Sequence, residues 1–292
     1  MADNIDKRST WWRKDTVAVV TGANKGIGLE IVRQLARNGV TTILTARNEG
    51  RGQSAVSLLK AEGLQNVDFY QLEVTDLKSV EDFAAWLKLR YSGLDILINN
   101  AGIHSLDYTD KKQGARDVID TNYYGVKNVT KELLPLIRTG GRIVNVSSRL
   151  GQLQTLNRKD LKQTLSSEEH LSENLIDLFV NEFLAAVNKG EITKQGWPTV
   201  DIVGTGPESA SDYSVSKIAL NAYTKLLAFQ LSGRVHINSF CPGYTQTDMT
   251  GGLGDKTVKE GADTGVWLAL LPPSCYDLPS GKFFGERVQI PF

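Results

Sequence analysis

From residue 16 onward, short unbroken apolar runs alternate with helical stretches, and no other feature of this chain constrains its fold as strongly. The run "TVAVV" gives way to a helical stretch ending at Asn38-Gly39, then "VTTILTA", a helix near residues 51–62, and "VDFYQLEV". A helix near 77–91, the strand "LDILINN", one or two helices between about 112 and 137, and the strand "RIVNVSS" at 142–148 continue the series. Strands that are apolar throughout are buried on both faces, as in a parallel sheet covered by helices on either side. The rhythm breaks once, over about 149–212, where Ser166 and Glu169 have capping-box spacing ahead of "LSENLIDLFVNEFLAAVNKG". That stretch reads as an insertion with its own helix. The alternation resumes with a helix from about 213 to 231, the strand "HINSFCP" and a last helical stretch near 258–270. The expectation is an α/β doubly wound parallel sheet in one domain over residues 16–292, preceded by an extension of residues 1–15.

Charge narrows the partners. Lysine plus arginine number 33 and aspartate plus glutamate 33, so no net field favours nucleic acid or an anionic membrane, and a small molecule is the expected partner. Cys241 and Cys275 belong to no metal-type cluster, and His104, His170 and His236 lie far apart in sequence. A reduced, metal-free, cytoplasmic protein is the expectation. The start "MADNIDKRSTWWRKD" lacks the apolar core of a signal peptide, and no apolar run reaches membrane-spanning length.

The first strand runs into "TGANKGIG", where Gly22, Gly26 and Gly28 precede a helix. A turn without Cβ atoms lets backbone N–H groups and the helix N-terminus approach a pyrophosphate. Strand before and helix after give the context of a Rossmann-type dinucleotide site, although the spacing departs from G-x-G-x-x-G. An NAD-selective site usually carries an acid at the end of the second strand; this chain has "LTARNEG" with Arg47. Lys25 and Arg47 together can neutralise a 2′-phosphate, which points to NADP(H). The alternative is two solvated surface cations.

In "SDYSVSK", Tyr213 and Lys217 stand four residues apart and share one face of a helix whose apolar positions include Ile218, Ala222, Leu226 and Phe229. Chemistry and packing both remain open for that pair by itself.

Taken in order, "TGANKGIG", "NNAG" at Asn99 to Gly102, Asn122 in "DTNYYGVKN", Ser148 in "IVNVSS", Tyr213 with Lys217, and Pro242-Gly243 give the chain its resemblance to the short-chain dehydrogenase/reductase family. The strings "LTAR", "ELLPLI", "GWP" and "LALLPP" resemble the carbonyl-reductase-type branch, nearest its plant menthone/neomenthol, salutaridine and aldehyde reductases. The resemblance implies that Tyr213 donates a proton to a substrate carbonyl oxygen while the cofactor delivers a hydride to the carbon. It implies that Ser148 hydrogen-bonds the same oxygen, that Lys217 holds the nicotinamide ribose, and that Asn122 holds a water for proton relay. An ammonium beside a phenol favours the phenolate, so Lys217 is expected to bring Tyr213 closer to working pH.

By the same resemblance Asn24, Ile27, Glu73, Val74, Asn99, Ala101, Gly102, Pro242, Gly243, Thr245 and Thr247 join the glycine turn in contacting the cofactor. Glu73 replaces an aspartate frequent in relatives, and Thr245 a valine. The interval from Ser148 to Tyr213 exceeds that of the common oligomeric members. Its extra helix is expected to cover the face on which they dimerise, giving a monomer. Leu175, Leu178, Phe179, Ala186 and Val187 supply an apolar stripe for that purpose; a fresh helix–helix dimer through the stripe is the alternative. Substrate contacts are expected from the insertion, the loop after Ile103 and the segment after Gly243, with Trp197, Tyr244 and Met249 as an apolar wall and residues 251–262 as a lid. The expected reaction is NADPH-dependent reduction of a hydrophobic ketone or aldehyde to an alcohol. A conjugated C=C reductase and a non-catalytic NADP(H)-binding regulator are the rivals.

Overall fold

The computed structural model describes residues 10–167, 169–201, 206, 208–272 and 278–292. Cys275 and most of the N-terminal extension lie outside them. Eight strands are present among the described residues: β1 (Val17–Val20), β2 (Thr41–Ala46), β3 (Val67–Gln71), β4 (Leu94–Asn99), β5 (Ile137–Val146), β6 (Val235–Cys241), β7 (Phe283–Gly285) and β8 (Val288–Ile290). They form one sheet in the order β3-β2-β1-β4-β5-β6-β7-β8. All neighbours pair in parallel except β7 with β8. The chain winds outward from β1 to β3 and then crosses to the other side of β1 to begin β4. That reversal opens a crevice beyond the carboxyl ends of β1 and β4, the place where such sheets bind ligands.

The helices are α1 (Gly26–Arg37), α2 (Glu49–Ala61), α3 (Leu77–Tyr91), α4 (Lys111–Ile119), α5 (Gly125–Leu133), α6 (Lys159–Ser166), α7 (Glu173–Lys189), α8 (Ser211–Gln230) and α9 (Val258–Leu270). Each sheet face has its own core. Ile31, Leu35, Leu59 and Ala269 of α1, α2 and α9 pack on one side, and Trp12 joins them from the N-terminal segment. Phe83, Leu87, Ile119, Val129, Ile218 and Ala222 of α3, α4, α5 and α8 pack on the other. Between α4 and α5 the chain makes a single wide π-helical turn, Asp120–Tyr124, which carries Asn122. Such turns recur at functional positions.

The inserted segment differs from expectation in detail. Helix α7 starts at Ser172, whose hydroxyl accepts the Leu175 N–H at 3.3 Å. Ser166 instead ends α6, where its hydroxyl donates to the Gln163 carbonyl at 3.1 Å, so the Ser166/Glu169 capping box does not form. The buried stripe of α7 is Ile176, Phe179, Val180, Phe183, Leu184, Ala186 and Val187. Leu175 is only half-buried and Leu178 is 49% exposed, because the helix is rotated to aim Phe179 and Phe183 at Trp197.

Helix α7 packs on α4 and α8. A polar pin fixes it there: Lys127 donates to Asp177 at 2.7 Å and pairs with Glu173 at 3.1 Å, while the Tyr123 hydroxyl donates to Asp177 at 2.8 Å. At the far end of α8, Phe229 is 72% exposed and leaves the apolar stripe, and the buried residues of that helix end at Ala228.

Candidate active site

The glycine turn holds its shape through its neighbours. Thr21 Oγ1 accepts the N–H groups of Asn100 and Ala101, each at 3.0 Å, and the Asn100 amide donates to the carbonyls of Thr21 and Gly22 at 2.9 and 3.0 Å. Gly22 has φ +61°, and a Cβ there would stand 2.8 Å from the Ala101 Cα; a Cβ on Gly28 would meet Asn100 Nδ2 at 2.4 Å. Backbone from β1 and β4 therefore meets where only glycine fits. Helix α1 begins after Lys25 with no side-chain cap and no acid in its first turn, leaving its N–H groups to a ligand anion.

Arg47 is exposed at the end of β2. Arg51, four residues on, lines an open groove of about 580 Å³ with Asn24, Asn48 and Leu29. This groove adjoins the phosphate end of the crevice and lies away from Tyr213. A cradle closed to Cβ atoms, an uncapped helix end and the cations Lys25, Arg47 and Arg51, with no acid at the end of β2, fit a dinucleotide carrying a 2′-phosphate. Arg51 went unnoticed in the sequence; the signal was a second arginine one helical turn after the first. Lys25 is already engaged, donating to Asp248 at 2.6 Å across the mouth of the crevice.

Lys217 is buried and donates to the Val146 carbonyl at 2.8 Å, with its Nζ 5.4 Å from the Tyr213 ring centroid. The segment from Ser148 to Thr155 lies along the same helix. A Cβ on Gly151 would meet the Lys217 backbone at 2.7 Å, and Ser214 donates to the Leu150 carbonyl at 2.6 Å. Ser148 caps that segment, its Oγ accepting the Leu150 N–H at 3.2 Å. Asn122, wholly buried, accepts the Ile103 N–H at 2.8 Å and donates to the Ile103 carbonyl at 2.9 Å and to Ser216 Oγ at 3.1 Å. Its amide ties the loop after β4 to α8. Strand β5, helix α8 and the π-helical turn thus bring Ser148, Tyr213, Lys217 and Asn122 together at one end of the sheet.

Burial acts on the two groups in opposite directions. Burial pushes the Tyr213 phenol well above its ordinary value of 10.0, and burial lowers Lys217 to about 8. The ammonium turns toward the Val146 carbonyl, and a low-dielectric wall favours the neutral form of both groups.

A profile of the short chain dehydrogenase family matches residues 16–158 and 202–258. The chain belongs to this family. A relative, carbonyl reductase [NADPH] 1 of Pongo abelii, is 42% identical over 93% of this chain and 96% of its own length. Among solved structures, salutaridine reductase from Papaver somniferum aligns with a TM-score of 0.83 at 35% identity, covering 92% of this chain and 99% of that one. Menthone neomenthol reductase from Mentha piperita gives 0.78, also at 35%, covering 93% and 98%. Short-chain dehydrogenases are oxidoreductases, and the sheet order and helix placement described above are those of the family.

Within this short-chain dehydrogenase, one expected substrate contact is placed otherwise, and the side chains of several expected cofactor contacts have partners within the protein. Trp197 has no exposed surface: its indole lies 5.5 Å from the Phe179 ring and 5.3 Å from that of Phe183, so it is core and no part of a substrate wall. The Asn99 side chain is 2% exposed and donates to Thr130 and Asn145, so it braces the sheet from within. Thr245 is also buried, its hydroxyl donating to the Pro242 carbonyl at 3.2 Å. Glu73 Oε1 is held by Thr75 at 2.9 Å, and Val74 is packed beside Gly125.

Thr247 does face the glycine turn, its Cγ2 lying 3.4 Å from where a Cβ of Gly26 would be. Gly243, at φ +79°, lies under the Lys256 stem, and Ile27 packs against the core of its face. Tyr244, Met249 and Leu253 are exposed beyond β6, by 47%, 39% and 60%. Of the expected lid, residues 251–262, the last five belong to α9. Gln246 and Lys256 bond across the base of the preceding segment at 2.8 Å, and α9 starts at Val258 behind a Thr257/Glu260 capping box. Among the described residues no cluster of metal-ligating side chains exists, and no helix is long and apolar enough to cross a membrane.

Proposed function

We propose that the chain is an NADPH-dependent carbonyl reductase that turns a hydrophobic ketone or aldehyde into an alcohol, acting as a cytoplasmic monomer. Residues 16–292 form one domain in this reading, with 149–212 inserted. The observation that carries it is Lys217 Nζ 5.4 Å from the Tyr213 ring centroid, at the switch point that also bears the uncapped glycine turn. The names of the relatives, carbonyl reductase [NADPH], salutaridine reductase and menthone neomenthol reductase, support the same chemistry.

NADPH, when bound, supplies the hydride. The amides of Gly22 to Gly28, with Asn24, Lys25, Arg47 and Arg51, would hold its phosphates, and Gly102, Gly243 and Thr247 would border its nicotinamide end. Ser148 and Tyr213 bind the substrate oxygen, and Tyr213 gives it a proton as negative charge develops there. Lys217 steadies the ribose end, and Asn122 holds the water that relays a proton back to the phenolate. Tyr244, Met249 and Leu253 offer an apolar rim suited to a terpenoid, alkaloid or reactive aldehyde substrate. Helix α7, seated on α4 and α8, supports the monomer reading because it occupies a face that is open in members without the insertion.

The test is NADPH oxidation by the purified protein against aldehydes, cyclic terpenoid ketones, alkaloid ketones and enones, with NADH and Tyr213→Phe alongside. Turnover with NADPH is expected to drop about 100- to 10,000-fold in Tyr213→Phe while NADPH still binds. Tight NADPH binding with no turnover of any compound would instead make this a cofactor-binding regulator. Saturated carbonyl products from the enones alone would make it a C=C reductase.

A further inference from the structure

The loop that follows β4 is gripped at two places, by Asn122 of the π-helical turn and by Asp212 of α8, and the second grip lies next to the proton donor. Asn122 holds Ile103 by both its N–H and its carbonyl. Two residues later the Ser105 hydroxyl donates to Oδ2 of Asp212, with the two residues 5% and 6% exposed. The other carboxylate oxygen of Asp212, Oδ1, accepts the backbone N–H of Tyr213 at 2.7 Å. One carboxylate therefore joins a wall of the crevice to the main chain of the residue that gives up the proton.

The loop has little slack. Gly114 of α4 lies so close that a Cβ there would stand 2.8 Å from Ser105 Cβ and 2.9 Å from Tyr108 Cγ. The Tyr108 N–H closes a turn onto the Ser105 carbonyl at 3.0 Å. Burial pushes the Asp212 carboxyl up, and the Ser105 hydroxyl, the Tyr213 N–H and Lys111 pull it back toward the ionised form. The loop's seat and the charge on Asp212 sustain each other.

We infer that Asp212 is a positioning residue that locks residues 103–108 to Tyr213 and so sets how large a carbonyl substrate can be held in line with the phenol. The inference rests on the carbonyl-reductase reading for its substrate. A bulky cyclic ketone presses on this loop at the switch point, and a small aldehyde does not reach it. Ser105→Ala cuts only the loop arm. Asp212→Ala cuts both arms. Asp212→Asn keeps both with one polarity reversed, since its amide N–H donates to Ser105 Oγ while its carbonyl accepts from Tyr213, and Ser105→Thr keeps the hydroxyl.

The experiment measures kcat and KM for a small aldehyde and a bulky cyclic ketone, the NADPH Kd, and amide hydrogen exchange over residues 103–108 and 211–214. In Ser105→Ala the KM for the ketone is expected to rise about tenfold, the scale of one lost charge-assisted hydrogen bond. The aldehyde KM, both kcat values and the NADPH Kd stay within about twofold of wild type, and exchange quickens in both segments. Ser105→Thr and Asp212→Asn recover most of the ketone KM, and Asp212→Ala lowers kcat for both substrates. Equal effects of Ser105→Ala on the two substrates, or unchanged exchange at 211–214, would overturn the inference. A wild type that reduces no carbonyl while exchange still quickens in Ser105→Ala would sink the reductase reading alone and leave the coupling established.

Discussion

The glycine turn and the inserted segment are positioned by different means. Around Gly22 and Gly28, place is fixed by main chain against main chain, with the Thr21 hydroxyl and the Asn100 amide filling the remaining valences. In the inserted segment, place is fixed by large side chains, with Trp197 between Phe179 and Phe183, and by the Lys127–Asp177 pin. The first arrangement tolerates no added atom and loses ligand binding when one is added. The second tolerates added surface groups and loses stability when a ring is removed. Ligand affinity and folding free energy are thus carried by separate parts of the molecule, and substitutions can pull them apart.

The sharpest way to break that separation is at the indole. Trp197→Ala is expected to cost about 3–5 kcal/mol of unfolding free energy by denaturant titration, with the NADPH Kd unchanged. Trp197→Phe is expected to cost much less, because the indole N–H has no partner among the described residues. A loss of NADPH affinity in either variant would show that the insertion supports the cofactor site directly. On the other side, Gly28→Ala forces a Cβ to within 2.4 Å of the Asn100 amide. NADPH binding, followed by fluorescence, is expected to weaken about 10- to 100-fold, or about 1.4–2.7 kcal/mol, with a smaller fall in melting temperature.

A third substitution probes the pin. Lys127→Met leaves Asp177 half-buried with only the Tyr123 hydroxyl, and the expected loss is about 1–2 kcal/mol, less than for a fully buried pair because water still reaches Asp177. Sedimentation of this variant should also reveal dimers if release of α7 exposes α4 and α8.

The last prediction is a pH dependence. Lys217 has a folded value near 8 against 10.5 for the free side chain. Between those values the unfolded chain holds a proton that the folded chain has released, so the stability of wild type relative to Lys217→Met rises from pH 8 to pH 10.5 and is flat below. A difference that falls with pH would mean that a neighbour keeps the ammonium charged.

The same contrast explains what could be read from sequence. Strands β1 to β6 announce themselves as apolar runs, and the glycine turn by its own residues, because both are encoded locally. The rotation of α7 was misjudged because Leu175 and Leu178 fit a helical stripe as well as Ile176 and Val180 do; the rings of Trp197 and its partners decide between the two, and they come from two separate elements. Strands β7 and β8 are too short to show a pattern, and their turn is marked only by Glu286 and Arg287 at positive φ. Ser105 and Asp212 are 107 positions apart, and no spacing rule connects them. The burial of Lys217 has a related cause: sequence shows that a lysine stands four residues from Tyr213, and only packing shows how little water reaches it.

The wide turn at Asp120–Tyr124 carries a final consequence. A helix that passes through one π-helical turn holds one residue more than an α-helix of the same rise, and its halves are out of phase by about 100°, the angle of one residue. The half before the break presses Gly114 against Ser105, and the half after it sends Lys127 to Asp177. Deleting a single residue within the turn would give a straighter and better-bonded helix, and would dial one of those two contacts to the wrong compass point. The surplus residue works like a vernier, letting one rod answer to the reaction loop at one end and to the inserted helix at the other.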